Sequence, residues 1–283
     1  MFNIYIIIPA HNEELFLTKT LQSLVEQTFL PTKIIVVNDN STDNTQNIID
    51  EFSKKHSFII GFKTNSEATH QPGSKVINAF NKGFKTTDNN FDIICKFDAD
   101  LIFPNDYLKK IKTAFETNPT CGMVGGFCFI EKNNTWILEN LTNKDHIRGA
   151  LKAYRKECFQ HIGGLKNTMG WDTVDELLAK YHGWQVCTDE SLHVKHLKPT
   201  GTNYSKSSKY KQGEAFYKMR YGLWLTLIAS LKLAVNKKSM VFFVNTMKGY
   251  FKSNAAKLPF IVSEKEGVFI RELRWKGIKK KLF

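Results

Sequence analysis

Two aspartates, Asp98 and Asp100, follow the hydrophobic segment Ile93-Ile94-Cys95 and are separated by a single residue. Side chains at positions i and i+2 of an extended chain point the same way, so both carboxylates can project together from the end of a strand. Two adjacent negative charges repel each other unless a cation lies beside them. Mg²⁺ or Mn²⁺, bound together with substrate phosphates, is the usual cation for such a pair. The alternative is a solvated acidic turn, because the D-x-D pattern is short and common.

Two earlier hydrophobic segments also end in polar side chains. The first ends in Pro9-Ala10-His11-Asn12-Glu13, and the second ends in Asn38-Asp39. A carboxylate that follows a strand accepts hydrogen bonds from a ribose or a base in nucleotide-binding folds, and Asp39 is placed for that role. Because the carboxyl ends of parallel strands meet at one edge of a sheet, these groups and the two aspartates are expected to lie together.

The elements that position these residues alternate along the first 130 residues. Five apolar runs predict strands at residues 4–9, 33–37, 58–62, 92–97 and 122–130. The first, second and fourth runs are rich in Ile, Val and Phe, as buried parallel strands are. Apolar residues between the runs recur at helical spacing. The pattern predicts an α/β fold, a mostly parallel sheet flanked by helices, with ligands at the carboxyl ends of the strands.

Four segments together resemble glycosyltransferase family 2, whose members have the Rossmann-like GT-A fold. They are Ile6-Ile7-Ile8-Pro9-Ala10-His11-Asn12-Glu13, Val37-Asn38-Asp39-Asn40-Ser41-Thr42-Asp43, Ala79-Phe80-Asn81-Lys82-Gly83 and Asp98-Ala99-Asp100. The resemblance covers residues 3 to 200 and continues through Gly163-Gly164-Leu165. Each segment is weak evidence alone, and their order and spacing carry the resemblance.

The resemblance implies a reaction, the transfer of a sugar from a nucleotide-sugar donor to a glycan or lipid-linked acceptor, with inversion at the anomeric carbon. It places Pro9, His11 and Glu13 at the border of the nucleotide and Asp39 against the base. A divalent cation, Mg²⁺ or Mn²⁺, is implied beside the diphosphate, where charge develops as the glycosidic bond breaks.

The resemblance also implies the metal ligands. Asp100 is expected to bind the metal directly, and Asp98 to contact either the ribose or the metal. Lys75 is a further donor contact, with an exposed lysine at a helix start as the alternative. A histidine after the last sheet strand completes the metal site in this fold, and His193 and His196 are the two candidates. Strand alternation points them to opposite faces, and His196 is preferred because it ends the strand.

An inverting transfer needs a carboxylate on the acceptor side to take the proton of the attacking hydroxyl. Asp172 lies 11 positions before Gly183-Trp184, which is the spacing that the family pattern implies. Matching the acidic pair Asp175-Glu176 to the leucines that follow points to Asp175 instead. The sequence departs from the family pattern here, so both aspartates are candidates for the base.

Charge is unevenly distributed along the chain, whose net charge is +13. Residues 206–283 contain 18 Lys and Arg against 4 Asp and Glu, whereas residues 1–205 contain 22 against 23. We therefore expect a catalytic domain over residues 1–205 and a basic, amphipathic helical region over residues 206–283. The polar, turn-rich segment 200–209 is the predicted linker.

Two apolar stretches of the basic region, residues 221–235 and 239–251, are flanked or interrupted by lysines. Neither reaches the roughly 18 uninterrupted apolar residues that a spanning helix needs. They are typical of helices that lie on a surface, so we expect peripheral membrane contact through residues 221–283. The alternative is that these helices pack on the catalytic domain or form a homodimer contact.

Two other function classes are weaker. The basic region is compatible with nucleic-acid binding, but the chain has no RNA- or DNA-binding motif, and nucleic acid is not an expected partner. Intact Asp98 and Asp100 argue against a catalytically inactive, sugar-binding relative. The five cysteines form no CxxC pair, and no secretory leader precedes the first strand. We expect free thiols and a cytoplasmic protein, peripheral on the inner face of the cell membrane.

Overall fold

The computed structural model describes residues 2–64, 74–139, 143–198 and 209–282. Its strands are β1 Ile4–Ala10, β2 Lys33–Asp39, β3 Ile59–Thr64, β4 Ile93–Phe97, β5 Leu101–Ile102, β6 Cys121–Lys132, β7 Thr135–Leu138, β8 Leu151–Arg155 and β9 Gln185–His196. Its helices are α1 Leu17–Val25, α2 Thr45–Lys55, α3 Ser74–Phe84, α4 Tyr107–Thr117, α5 Lys156–His161, α6 Trp171–Tyr181, α7 Lys211–Lys218, α8 Gly222–Asn236, α9 Met240–Ala255 and α10 Glu264–Leu282. Each of the five predicted strands is present.

All the strands belong to one sheet with the order β3-β2-β1-β4-β8-β6-β9-β5, and β7 pairs with β6 outside this path. The first four strands of this order are parallel. Beyond β4 the pairing is mixed, because β8 is antiparallel to both β4 and β6. The chain moves outward from β1 to β2 and then crosses back to β4. The order thus reverses between β1 and β4, where an open α/β sheet forms its ligand crevice.

Helices bury the central strands from both faces. Ile6, Ile7 and Ile8 are all fully buried, so β1 is a continuous apolar run rather than an alternating one. Gly83 shows how closely α3 approaches the sheet, because a Cβ there would lie 2.6 Å from Val37 Cγ2 and 3.0 Å from Ile7 Cγ2. A larger residue at position 83 would push α3 away from the strands that end at the crevice.

The C-terminal helices pack against one another and against the sheet-bearing part. Gly213 of α7 and Gly249 of α9 permit close crossing, since a Cβ on either would lie within about 2 Å of a backbone carbonyl oxygen of the facing segment. Helix α10 returns to α6, where the rings of Tyr181 and Phe269 have centroids 5.5 Å apart. The linker predicted over residues 200–209 falls almost entirely outside the described residues, and the division into 1–205 and 206–283 stays a prediction.

The structure also bears on the predictions about membrane-spanning helices and about free cysteines. Among the helices of the described residues, none combines the length and apolarity needed to span a bilayer. The expectation that every thiol is free is wrong, because Cys121 of β6 and Cys187 of β9 form a disulfide between neighbouring strands. Cys95, Cys128 and Cys158 are free and buried.

Candidate active site

The aspartates that follow β4 occupy two different environments. Asp98 is partly open, with 34% of its side chain exposed, and its carboxylate pairs with the ammonium group of Lys96. Lys96 is itself only 1% exposed and donates a second hydrogen bond of 2.9 Å to the carbonyl oxygen of Gly149. A buried cation therefore compensates part of the negative charge that the two aspartates bring together.

Asp100 is buried, and short pairing between β5 and β9 brings His196 beside it. Leu101 pairs with His196 in antiparallel register, and the Leu197 amide donates a 2.9 Å hydrogen bond to the Asp100 carbonyl oxygen. Nε2 of His196 lies 3.5 Å from Oδ2 of Asp100. The other carboxylate oxygen, Oδ1, is buried without a hydrogen-bond partner among the described residues. A carboxylate oxygen without a partner and a neighbouring imidazole are together suitable ligands for a divalent cation.

Glu139 contacts the ring nitrogen of His196 that does not face Asp100. Its Oε2 atom lies 2.9 Å from Nδ1 of His196, and its carboxylate also contacts Arg148. A carboxylate at Nδ1 fixes the imidazole in the tautomer that leaves Nε2 available as a ligand. Glu139 was not identified from the sequence, since no motif surrounds it and 57 residues separate it from His196.

Glu13 reaches the same crevice from the end of β1. Its Oε1 atom accepts a 2.9 Å hydrogen bond from Lys198, and its Oε2 atom is buried without a partner in the part of the chain that the structure describes. Burial raises the pKa of Glu13, Lys198 opposes the rise, and the charges of Asp100 and Asp98 add to it. These electrostatic influences show that Glu13 belongs to the same acidic cluster as the two aspartates.

The other residues that the sequence predicts on the donor side lie at the ends of β1 and β2 and at the start of α3. Pro9 is paired with Val37 inside the sheet, and Nδ1 of His11 lies 2.7 Å from the backbone carbonyl oxygen of Asp39. Asp39 is 6% exposed and ends β2. Lys75 is the second residue of α3 and is partly buried, and the Pro72-Gly73 segment before it is outside the described residues.

The two candidate bases on α6 are placed very differently. Asp172 lies in the first turn with 32% of its side chain exposed, and its Oδ2 atom is 3.6 Å from Nε2 of His146. Burial favours the neutral acid, but His146 and Lys152 outweigh that effect and hold the pKa of Asp172 below its usual value. This carboxylate is therefore both accessible and ionised.

Asp175 is 1% exposed and is surrounded by its partners. Its two oxygens lie 2.8 and 3.0 Å from the ammonium nitrogen of Lys152, and the hydroxyl of Tyr154 donates a 2.5 Å hydrogen bond to Oδ2. Burial raises the pKa of Asp175 to about 7. An acceptor hydroxyl has no open path to a carboxylate enclosed in this way.

The Trp171 indole packs between the surroundings of Asp98 and those of Asp172. The indole is buried, and the ammonium nitrogens of Lys96 and Lys152 lie 5.4 and 5.8 Å from its ring. A Cβ on Gly149 would lie 2.7 Å from this indole and 3.3 Å from Cβ of Asp172. The ring therefore packs on the same glycine whose carbonyl oxygen binds Lys96, and it places Asp172 near the Lys96–Asp98 pair.

His146 is a positively charged bridge between two carboxylates. Burial lowers its pKa, but Asp172 and Glu176 outweigh both that effect and the repulsion from Lys152, and the pKa rises to about 9. Since this value exceeds that of an unfolded histidine, the stabilisation is complete below about pH 6.5 and is lost as the pH rises through about 9.

We expect His146→Gln to remove this pH dependence. In urea unfolding at pH 6, 7.5 and 9.5, the stability difference between wild type and variant should be largest at pH 6, at most about 3 kcal/mol, and smallest at pH 9.5. His56, which is partly exposed on the surface near α2, provides the control His56→Gln. A constant difference over this range would contradict a charged His146.

Comparisons with known proteins bear on the family and the fold of this chain. The family model described as Glycosyl transferase family 2 matches residues 5–166. The probable glycosyltransferase YdaM of Bacillus subtilis is 41% identical over 97 residues, which are 34% of this chain and 22% of that protein. A dolichyl N-acetyl-alpha-D-glucosaminyl phosphate 3-beta-D-2,3-diacetamido-2,3-dideoxy-beta-D-glucuronosyltransferase of Methanococcus voltae is 37% identical over 186 residues, 62% of this chain and 54% of that protein. The chain thus spans about half or less of the length of these two relatives.

A solved structure shows the same fold. The mannosyltransferase PcManGT from Pyrobaculum calidifontis, in complex with GDP-Man and Mn²⁺, matches with a TM-score of 0.56 and 14% sequence identity. The match covers 100% of this chain and 81% of that one. At this identity the likeness establishes the fold, and the α/β, GT-A architecture expected from the sequence is confirmed.

Proposed function

Because this chain belongs to glycosyl transferase family 2, we propose that it transfers a sugar from a nucleotide-sugar donor to a hydroxyl of a glycan or lipid-linked acceptor, with inversion and with the help of Mg²⁺ or Mn²⁺. The observation that carries the proposal is the acidic cluster at the β1–β4 crevice. Glu13 and Asp100 each bury a carboxylate oxygen that has no hydrogen-bond partner among the described residues. Buried oxygens without partners are costly, and a divalent cation with its bound water would satisfy them.

The residues present fit a hard divalent cation. Asp100 and His196 would hold it, and Asp98, which is closer to solvent, would complete its ligands or contact the ribose. Oxygen ligands with one imidazole are typical of Mg²⁺ and Mn²⁺ sites rather than of thiolate-rich zinc sites. When bound, the cation supplies positive charge that stabilises the departing diphosphate. The Mn²⁺ in the PcManGT complex supports this choice.

The protein itself supplies the other parts of the reaction. Pro9, His11, Glu13 and Asp39 border the nucleotide, and Lys75 is a further candidate for the donor phosphates. Asp172 takes the proton of the acceptor hydroxyl while the hydroxyl oxygen attacks the anomeric carbon. The bond from that carbon to the diphosphate oxygen breaks, and the nucleoside diphosphate leaves with the electron pair. His146 orients the Asp172 carboxylate and keeps it ionised.

Donor binding tests the proposal without knowledge of the acceptor. We expect a nucleotide sugar to raise the melting temperature of the protein in Mn²⁺ and to lose most of that effect in EDTA. A panel of UDP-, GDP- and TDP-linked sugars identifies the base and the sugar. If no nucleotide or nucleotide sugar changes the melting temperature with either metal, the transferase assignment is contradicted.

The C-terminal helices carry a surface that fits a peripheral membrane protein. On α8, Trp224, Ile228, Leu231 and Val235 are exposed and recur at helical spacing, so they share one face. Met240, Val241 and Val244 of α9 are also exposed, and Trp224 and Val241 reach 71% and 67%. We define these seven residues as the apolar face. Lysines flank it at positions 232, 237, 238, 248 and 252, as expected for a helix at a lipid headgroup boundary.

Liposome flotation tests this surface with point variants. Removal of residues after 205 would uncover α6, which packs on α10, so the intact chain is the better sample. Full-length protein should float with vesicles rich in phosphatidylglycerol, less so in high salt, and Trp224→Glu/Val241→Glu should abolish flotation. Leu30→Glu, at an exposed leucine outside the C-terminal region, is the matched control. A wild-type protein that stays unbound at low salt would instead favour a dimer contact at this face.

A further inference from the structure

A cleft with a volume of about 560 Å³ lies between α6 and the C-terminal helices α7, α8 and α10. The volume falls in the range of small-molecule sites. One wall is apolar and consists of Leu225, Ile228 and Leu233 from α8 with Leu273 and Ile278 from α10. No donor-side residue described above lines this cleft, so it is separate from the nucleotide crevice.

Some of the lining residues are neighbours of the candidate base, although Asp172 itself does not line the cleft. His146, Thr173 and Glu176 all line it. Thr173 directly follows Asp172 in the chain, and the His146 imidazole reaches to 3.6 Å from the Asp172 carboxylate. A molecule that fills the cleft can therefore contact two residues that adjoin Asp172.

The outer side of the cleft adjoins the apolar face. Ile228 lines the cleft, is 39% exposed, and belongs to the exposed row of α8 that also contains Trp224 and Leu231. The apolar wall is thus continuous with the surface that we assign to the membrane. A hydrocarbon chain that enters the cleft from a bilayer would meet apolar side chains at this shared residue.

The cleft also contains positive charge beside its apolar wall. Lys180, Lys232 and Arg274 line it, and none of these three forms an ion pair within the described ranges. Asp145 and Glu176 are the acidic lining residues, and Glu176 is already paired with Lys152 and His146. Arg274 donates a 3.1 Å hydrogen bond through Nε to the hydroxyl of Tyr221, but none of the three cations has a carboxylate partner among the described residues, so they fit an anionic group such as a phosphate.

From this combination we propose that the cleft binds the acceptor and that the acceptor is lipid-linked, with a hydrocarbon chain against α8 and α10 and a phosphate near Lys232 and Arg274. The hydroxyl that receives the sugar then lies toward Asp172. The length of the apolar wall favours a lipid-linked acceptor over a free glycan, which has no hydrocarbon chain to bury there. That the ligand is an acceptor rests on the proposed transferase function. That the cleft binds a lipid phosphate does not depend on it.

Binding of farnesyl phosphate, measured by calorimetry below its micelle concentration and without any nucleotide sugar, tests the site. We expect saturable binding by wild type, and a loss of about tenfold or more in Lys232→Gln/Arg274→Gln, because two charge-assisted contacts are removed. Ile228→Asp should also weaken binding, since it places a charge in the apolar wall. Lys265→Gln, at an exposed lysine of α10 outside the cleft, should bind as wild type does.

Two reference ligands, farnesol and a soluble phospholipid, distinguish the alternatives. Farnesol should bind more weakly than farnesyl phosphate, and dihexanoyl phosphatidate, a soluble phospholipid with the same charged group, should also bind more weakly. Equal binding of phosphatidate would assign the cleft to phospholipid headgroups and overturn the acceptor assignment. Equal binding of farnesol, or unchanged binding by the double variant, would overturn the role of the cations. UDP and GDP binding in Mn²⁺ is measured in parallel. If wild type binds neither nucleotide, the transferase function is contradicted, whereas the result with farnesyl phosphate still reports on the cleft.

Discussion

Asp100→Ala should lower sugar transfer by about 10³-fold or more and remove the dependence of donor binding on Mn²⁺. Asp100 is buried beside His196, and one of its oxygens has no hydrogen-bond partner in the described residues. The variant deletes the carboxylate charge that would hold the cation opposite the diphosphate. Loss of several kcal/mol of charge stabilisation in the transition state corresponds to a rate change of this size.

The matched control for this experiment is Asp106→Ala. Asp106 is an exposed carboxylate before α4 that pairs with Lys110, and its removal should leave transfer and metal response unchanged. The rate of transfer and the shift of melting temperature by UDP or GDP with and without Mn²⁺ are both measured. Full transfer by Asp100→Ala in EDTA would rule out a metal held by this aspartate.

Asp172→Asn should lower the transfer rate by about 10²-fold or more with donor binding nearly intact. The amide has almost the same shape as the carboxylate and keeps an oxygen that can face His146, but it cannot take a proton from the acceptor. General-base catalysis contributes rate factors of this order. Single-turnover transfer and donor titration separate the two effects, because a base acts on the chemical step rather than on donor affinity.

Asp175→Asn is the contrasting variant. It removes the ionisable partner of the fully buried Lys152, so we expect a loss of unfolding free energy of about 3 kcal/mol at a pH above 7, where Asp175 is ionised. At a temperature where this variant remains folded, its transfer rate should exceed that of Asp172→Asn. A stable Asp175→Asn protein with a severe rate defect, together with an active Asp172→Asn, would move the base to position 175.

The strands and the donor-side groups follow from local sequence. The Ile- and Val-rich runs around Ile6 and Val36 bury side chains on both faces, and such strands are parallel and covered by helices in any α/β fold. The carboxyl ends of these strands must then meet at one edge, which brings Glu13, Asp39 and Asp98 together. Periodicity and strand-end chemistry were enough to predict the α/β fold, and the roles of these groups in a donor site stay a prediction.

The sequence did not rank Asp172 and Asp175 by environment. Both lie on α6, three positions apart. The distance to Gly183 favoured Asp172, whereas alignment of the acidic pair with the leucines that follow favoured Asp175. Burial separates them, because Lys152 and Tyr154 from β8 enclose Asp175 while Asp172 remains partly exposed. Those partners come from a strand more than 20 residues earlier, and nothing in the local pattern of α6 encodes their approach.

Sequence alone therefore determined which chemical groups this protein carries and at which strand ends they lie, because hydrophobic periodicity and strand polarity act over a few residues. Tertiary packing decided which groups touch. The pairing of β5 with β9 places His196 against Asp100, Glu139 reaches His196 across 57 residues, and the return of α10 to α6 forms the cleft. Contacts between distant segments depend on the packing of the whole core, which no local pattern contains.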